Sequence, residues 1–316
     1  VGKSAVALEL ARQRGAAILA LDAMQVYRGA DIGVSKPSAA ERAEIPHGGL
    51  DLAEFGETFD VARYVEYAKK FLAEQAAAGR PVIIVGGTGL YFRALTRGLC
   101  EAPPSPPDLR DELATMSLEK LRTRLGLVDA PMLARLDSEN PRRLARAIAV
   151  METTGRSLSA WQAEPTEPVL REYRAFWLQR PKAELDDRIE ARVDAMLEAG
   201  WADEVRRLAA RHGADAVARF PGIGYREIAE ALGLAGEPDS GARASPATHG
   251  PVGSPGSPGI SAEPSSPDAW LVVRRNVCVA TRQYAKRQLT WFRREPRLVP
   301  VILSGAANVP PALLSF

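Results

Sequence analysis

The first 22 residues, VGKSAVALELARQRGAAILALD (1–22), decide how the rest of the chain is read. Gly2-Lys3-Ser4 opens a segment with helical periodicity over Ser4–Arg14, and AILAL (17–21) is a short apolar run that stops at Asp22. Gly-Lys-Ser ahead of a helix matches the back half of the phosphate-binding pattern GxxxxGK[ST]. In such a loop, backbone N–H groups and the helix N-terminus hold an anion. The lysine reaches terminal phosphates and the Ser/Thr hydroxyl can hold Mg²⁺. A second apolar run, PVIIV (81–85), follows a long helical stretch at Phe59–Ala78 and ends in the glycine cluster GGTG (86–89). Short apolar strands separated by helices predict βαβ units, a parallel sheet and an α/β fold with a P-loop-type core. Chemistry in such sheets gathers beyond the carboxyl ends of the strands. Asp22, Thr88 and the 2–4 turn are therefore expected on one rim.

Composition narrows the class. The 316 residues are 46% hydrophobic and 25% charged, with a net charge of +2, values that describe an ordinary globular chain and do not announce a nucleic-acid binder. Two cysteines, Cys100 and Cys278, cannot build a disulfide framework or a thiolate metal cage, which points to a reducing compartment. No apolar run approaches the roughly 20 residues that span a bilayer, and no signal-peptide pattern is present. A cytoplasmic protein without a membrane partner, acting as a monomer, is expected.

The texture changes at EAPPSPPD (101–108), and from there the pattern is helical without a clear strand. Its best segment is NPRRLARAIAVMETTG (140–155), with Asn140 as N-cap, Pro141 at the first helical position and Gly155 as terminator. Leu144, Ile148 and Met151 share one face, with Arg142 and Arg146 opposite. Residues 103–165 read as a helical insertion domain within a core made of 1–102 and 166–297. YRAFWLQ (173–179) reads as a returning strand, followed by a helix at 184–200. The stretch 235–268 holds 6 Gly, 7 Pro and 7 Ser and reads as a disordered loop. A basic helix covers 274–294, and 298–316 reads as a weakly patterned tail.

Taken singly, the candidate residues leave alternatives open. Asp22 fits a general base, a Mg²⁺ ligand or a helix cap. Thr88 fits an anion donor or a tight strand–helix turn. Arg188 and Arg192, four apart, share a helix face. Leu185, Ile189, Val193 and Met196 fall within about 80° of one another, with Arg192 bordering that stripe, where a cation calls for an anionic partner or a route outward to solvent. Over 271–297, eight Lys/Arg face one acid, Glu295, and Tyr284, Trp291 and Phe292 are interleaved. That pattern suits a phosphate-tracking surface as well as a core helix.

In order along the chain, LDAMQVYRGADIGVSKP (21–37), VGGTGLYFRAL (85–95), NPRRLARAIAVMETTGRSLS (140–159), RIEARVDAMLEAG (188–200), GIGYRE (222–227) and TRQYAKRQLTWFR (281–293) resemble the tRNA dimethylallyltransferase (tRNA isopentenyltransferase) family. The resemblance implies transfer of a dimethylallyl group from dimethylallyl diphosphate to N6 of adenosine 37, beside the anticodon, with Mg²⁺ as cofactor. It implies Asp22 as general base and Thr88 at the oxygen that bridges allyl group and diphosphate. Gly2, Lys3, Ser4 and Arg192 would hold the diphosphate, with Ser4 toward the metal. Asp22, Ala23, Met24, Gln25, Thr88, Arg110, Arg142, Arg143, Leu144, Ala145 and Arg146 fall on tRNA-contacting positions of the anticodon stem-loop, with GIGYRE and the 281–293 helix as further contacts. HGGL (47–50) departs from the family's paired histidine. Val1–Ser4 would be the back edge of a diphosphate cradle whose strand and front half are not in this sequence, so reduced activity is expected of the chain as given. The rival readings are a P-loop small-molecule kinase or ATP-binding NTPase with Asp22 on Mg²⁺, and an inactive relative that only binds tRNA.

Overall fold

A computed structural model describes residues 2–136, 139–234, 267–303, 309, 310 and 313. The chain divides into two compact units. One runs to Phe92 and resumes at Glu172; the other is Arg93–Arg171. The Gly/Pro/Ser-rich stretch falls, up to residue 266, outside the described residues.

The first unit is built on strands β1 (Ala17–Leu21), β2 (His47–Gly48) and β3 (Val82–Gly86), which form a parallel sheet in the order β2-β1-β3. All five residues of β1 are buried, as a central strand covered on both faces requires. The Lys3–Arg14 helix packs Ala7, Leu8 and Ala11 against Ile18, Ile45, Ile83 and Val85. The Val61–Ala77 helix leads into β3, and its buried Tyr64 donates from its hydroxyl to the Ala20 carbonyl at 2.9 Å. The β1–β3 register runs from Ala17 opposite Val82 to Leu21 opposite Gly86, so Asp22 and Gly87 leave the sheet side by side.

A second parallel pair joins β4 (Ala175–Gln179) to β5 (Leu298–Ile302). This corrects the expectation of a tail from residue 298. LVPVI is interrupted by Pro300, which lacks an N–H and weakens the pattern in sequence, yet proline is tolerated on a strand with one open edge. Val301 and Leu303 pack with Val6, Phe176 and Leu178. The largest core cluster of this unit gathers Val26, Tyr27 and Phe55 with Ile189 and Val193 of the Lys182–Glu198 helix, Trp201, Val205 and Leu208 of the Trp201–His212 helix, Tyr225, and Val277. It ties the segment that follows β1 to the helical part of the same unit. The basic helix starts earlier than its charge pattern implied, at Pro267, and ends at Phe292.

The regular elements of the second unit are all helices among its described residues. Leu113, Leu121, Leu125, Met132, Leu144 and Ile148 form its core. The Pro141–Thr154 helix has the caps its sequence prescribes: the Asn140 side chain accepts from Arg143 N–H, Pro141 sits in the first turn, and Gly155 closes it at φ 68°.

Candidate active site

The site forms where β1 and β3 end. The Leu21 carbonyl accepts from the backbone N–H of both Gly87 and Thr88, at 3.2 Å each, which folds the GGTG turn over the strand end. The Thr88 hydroxyl accepts from Ala23 N–H at 3.2 Å. Its own proton is thereby left to donate outward. Asp22 Oδ1 accepts from Met24 N–H at 2.8 Å and Gln25 N–H at 3.4 Å, closing the turn that follows β1. No helix follows Asp22, so it caps a turn rather than a helix, using one oxygen, and it makes no other hydrogen bond among the described residues.

Charge is concentrated around that carboxylate. Burial pushes the Asp22 carboxyl above its ordinary value of 3.8, against the opposing pull of Met24 N–H, Lys3, Gln25 N–H and Arg192. Burial and then Arg192 lower the Lys3 ammonium from its ordinary 10.5, while Asp22 pulls it back up. Lys3 opens the Lys3–Arg14 helix directly after Gly2, which holds φ 91°, a conformation glycine adopts without steric cost. Ser4 is exposed in the first turn. Arg192 arrives from the Lys182–Glu198 helix and donates from Nε to Ser35 Oγ at 3.0 Å. Arg188, its neighbour one turn back, is instead tied to Glu184 at 3.0 Å.

The 267–292 helix closes on the same turn. Gln288 Nε2 donates to the Gly87 carbonyl at 3.0 Å. A Cβ at Gly87 would lie 2.0 Å from Gln288 Nε2, and one at Gly89 would lie 2.4 Å from Trp291. A side chain at either position would have to push aside Gln288 or Trp291. Tyr284, one turn before Gln288, has its phenol raised by burial and by the Asp22 charge, which puts it within electrostatic reach of the carboxylate. The arrangement offers a desolvated carboxylate beside a free-to-donate hydroxyl and two cations, a set suited to taking a proton while stabilising a departing anion.

The IPP transferase family model matches residues 25–295. The chain belongs to that family. A tRNA dimethylallyltransferase from Methylacidiphilum infernorum (isolate V4) is 37% identical over 305 residues, covering 96% of this chain and 83% of its own. One from Deinococcus radiodurans is 36% identical over 301 residues, covering 93% and 87%. The solved full-length tRNA isopentenylpyrophosphate transferase from Bacillus halodurans matches with a TM-score of 0.58 at 29% identity, over 95% of this chain and 86% of that one. A eukaryotic dimethylallyltransferase acting on tRNA shares the fold, with a TM-score of 0.70 at 20% identity over 95% and 71% of the two chains.

Within this IPP transferase, Asp22, Ala23, Met24, Gln25, Thr88, Lys3, Ser4 and Arg192 all belong to the sheet-bearing unit. Arg110 and Arg142–Arg146 belong to the helical one. There Arg142 and Arg143 are exposed and Ala145 is half-buried. Leu144, one of the positions aligned with tRNA contacts, is 0% exposed, so its side chain packs in the core of this unit. Arg146 does not project freely either. Its guanidinium donates to the carbonyls of Pro103 (2.7 Å) and Ala102 (2.9 Å) and to Ser105 Oγ (3.0 Å), pinning the proline connector. Arg110 has its Nε buried with no hydrogen-bond partner among the described residues.

Two participants escaped the sequence reading. Gln288 was discoverable, since it lies four residues after Tyr284 on the same helix face. Nothing in DIGVSKP singles out Ser35, whose part follows only from its meeting with Arg192.

Proposed function

We propose that the protein transfers a dimethylallyl group from dimethylallyl diphosphate to N6 of adenosine 37 of tRNA, in the cytoplasm and as a monomer. The observation that carries this is the desolvated Asp22 carboxylate flanked by Thr88, Lys3 and Arg192. Asp22 takes one proton from the N6 amine as the nitrogen attacks the allylic carbon. The new N–C bond forms as the C–O bond to diphosphate breaks, and the electron pair leaves with the diphosphate. The Thr88 hydroxyl, its oxygen already bound to Ala23 N–H, directs its proton to the bridging oxygen. Lys3 and Arg192 take up the charge of the leaving group.

The exposed Ser4 hydroxyl suits Mg²⁺ as an oxygen donor. A bound Mg²⁺ would neutralise part of the diphosphate charge. Among the described residues no group of three His, Cys, Asp or Glu could hold a metal, and a cation shared with the substrate's own oxygens needs no such group. Arg110, Arg142 and Arg143 supply contacts to the tRNA backbone, and adenosine 37 leaves the stack to reach Asp22.

The test incubates the protein with unmodified tRNA, dimethylallyl diphosphate and Mg²⁺, then digests the tRNA and measures nucleosides by mass spectrometry. Prenylated adenosine that requires Asp22 is the expected product. ATP turnover without tRNA, or tRNA binding with no modified nucleoside, overturns the proposal in favour of a kinase or a binding protein.

A further inference from the structure

The Trp201–His212 helix buries a carboxylate that no part of the proposed reaction uses. Glu204 is 1% exposed. Its Oε2 accepts from the backbone N–H of Asp31 at 2.8 Å and Ile32 at 2.6 Å, and its Oε1 accepts from Gly33 N–H at 3.2 Å. Oε1 also accepts from the Tyr225 hydroxyl at 2.7 Å. Three amides and one phenol thus replace the water that a buried carboxylate gives up. All three amides belong to one turn, DIG (31–33), which leads straight into Ser35.

That turn needs holding. Ser35 sits at φ 51°, in the left-handed region that a residue with a Cβ adopts only under constraint. Its hydroxyl accepts from Arg192 Nε at 3.0 Å, the one hydrogen bond Arg192 makes among the described residues. Gln25 Nε2 donates to the carbonyls of Val34 and Ser35, at 3.0 Å each, from the segment that Asp22 caps. The buried Lys36 ammonium donates to the Tyr27 carbonyl at 2.6 Å and to Asp31 and Asp51 at 2.8 and 2.6 Å. Gln25 and the Tyr27 carbonyl tie the turn to the segment after β1; Glu204 ties it to the helix that carries Trp201 in the core cluster.

We infer that Glu204, backed by Tyr225, is a positioning residue for Arg192: it fixes the 31–35 turn whose Ser35 hydroxyl aims the guanidinium at the departing diphosphate. The identity of that anion rests on the function proposed above. A glutamine at 204 keeps the size but offers one acceptor oxygen in place of two, and turns an NH₂ toward a backbone N–H. Part of the turn is then released, and Arg192 loses its aim while remaining present.

The experiment measures inorganic diphosphate binding to the whole chain by calorimetry, with thermal melting and tRNA binding in parallel. Glu204→Gln should weaken diphosphate binding about tenfold, the equivalent of one charge-assisted hydrogen bond, with tRNA affinity unchanged. Arg192→Ala should weaken it at least as much, and the Arg192→Ala/Glu204→Gln double variant should bind no worse than Arg192→Ala alone, because the second change acts only through the first. Losses that multiply, or a folded Glu204→Gln with unaltered binding, would overturn the inference, as would absence of diphosphate binding by the unsubstituted chain. Should Glu204→Gln fail to fold, Ser35→Ala carries the same cycle, with a weakening of about threefold alone and none on top of Arg192→Ala. Prenyl transfer by the unsubstituted chain reports separately: diphosphate binding with the expected coupling but no modified tRNA would leave this inference standing and sink the proposed function.

Discussion

In the sheet-bearing unit Asp22 and Lys3 have been taken partly out of water and hold displaced pKa values, whereas in the helical unit Arg142 and Arg143 stand exposed on a well-capped helix. The first arrangement is costly to assemble and makes each charge responsive to its neighbours; the second costs little, because solvent screens each exposed charge. Chemistry needs the former, because a base and a leaving-group stabiliser act at one point. Docking along a phosphate backbone needs only the latter, since each contact adds to the next. Arg146 shows that the helix alone does not decide which kind an arginine becomes: four residues after Arg142, it is bound to the proline connector and serves structure.

Substitutions at the two sites should therefore differ in kind. The largest effect is expected for Asp22→Ala, with single-turnover prenyl transfer reduced about 10³-fold, within the range typical of general-base removal. Affinity for tRNA should stay within about twofold, checked by rapid quench and filter binding. Full single-turnover rate in that variant would remove Asp22 from the base role. Next comes Arg192→Ala, with transfer down about 10²-fold and the defect concentrated in the diphosphate-dependent step rather than in tRNA binding.

The displaced pKa values sharpen the same contrast. As the proposed base, Asp22 must be deprotonated, and its carboxyl lies above 3.8, so the rate should climb as pH rises through that raised value. In the proposed role Lys3 must stay charged, and its ammonium lies below 10.5, so the rate should fall on the alkaline side earlier than an ordinary lysine would dictate. The pH–rate profile is thus a bell narrowed from both sides, and Lys3→Arg should move its alkaline limb outward, since a guanidinium does not titrate there. An unmoved alkaline limb would show that Lys3 is not the group responsible.

In the helical unit the effects are smaller and divide by environment. Arg146→Ala, which removes three hydrogen bonds from a guanidinium already lowered by burial, should cost about 1–3 kcal/mol of stability, read as a fall in Tm. Arg142→Ala and Arg143→Ala should leave Tm nearly unchanged and weaken tRNA binding a few-fold each. Each should also reduce the slope of log affinity against log salt by about 1. A loss of tRNA affinity confined to Arg146→Ala would break the distinction between the two environments.

Much of this was legible in one dimension, for stated physical reasons. Period and length placed β1, β3, β4 and the capped helix at 141–154, because strand burial and helix capping are local events written in neighbouring residues. Asp22 and Thr88 were placed on one rim because strands of a parallel sheet all end on the same side. Other features depended on partners distant in the chain. Pro300 hid β5, since a run that looks broken becomes a strand only when β4 lies beside it. Leu144 was legible on the apolar face of its helix, whereas the hold of Arg146 on Pro103 and Ala102, 43 and 44 residues away, was not. Ser35 and Gln288 acquired meaning by meeting Arg192 and Gly87, 157 and 201 residues away in sequence.

The sequence by itself thus determined the α/β class, the family motifs and the residues able to carry the chemistry, since these depend on residue type and short-range period. Tertiary structure alone decided which charges are desolvated, which arginine is turned onto the proline connector, and how Glu204 reaches across to the turn that holds Arg192. Those outcomes depend on the local dielectric and on hydrogen-bond geometry, which exist only once distant segments have been brought together.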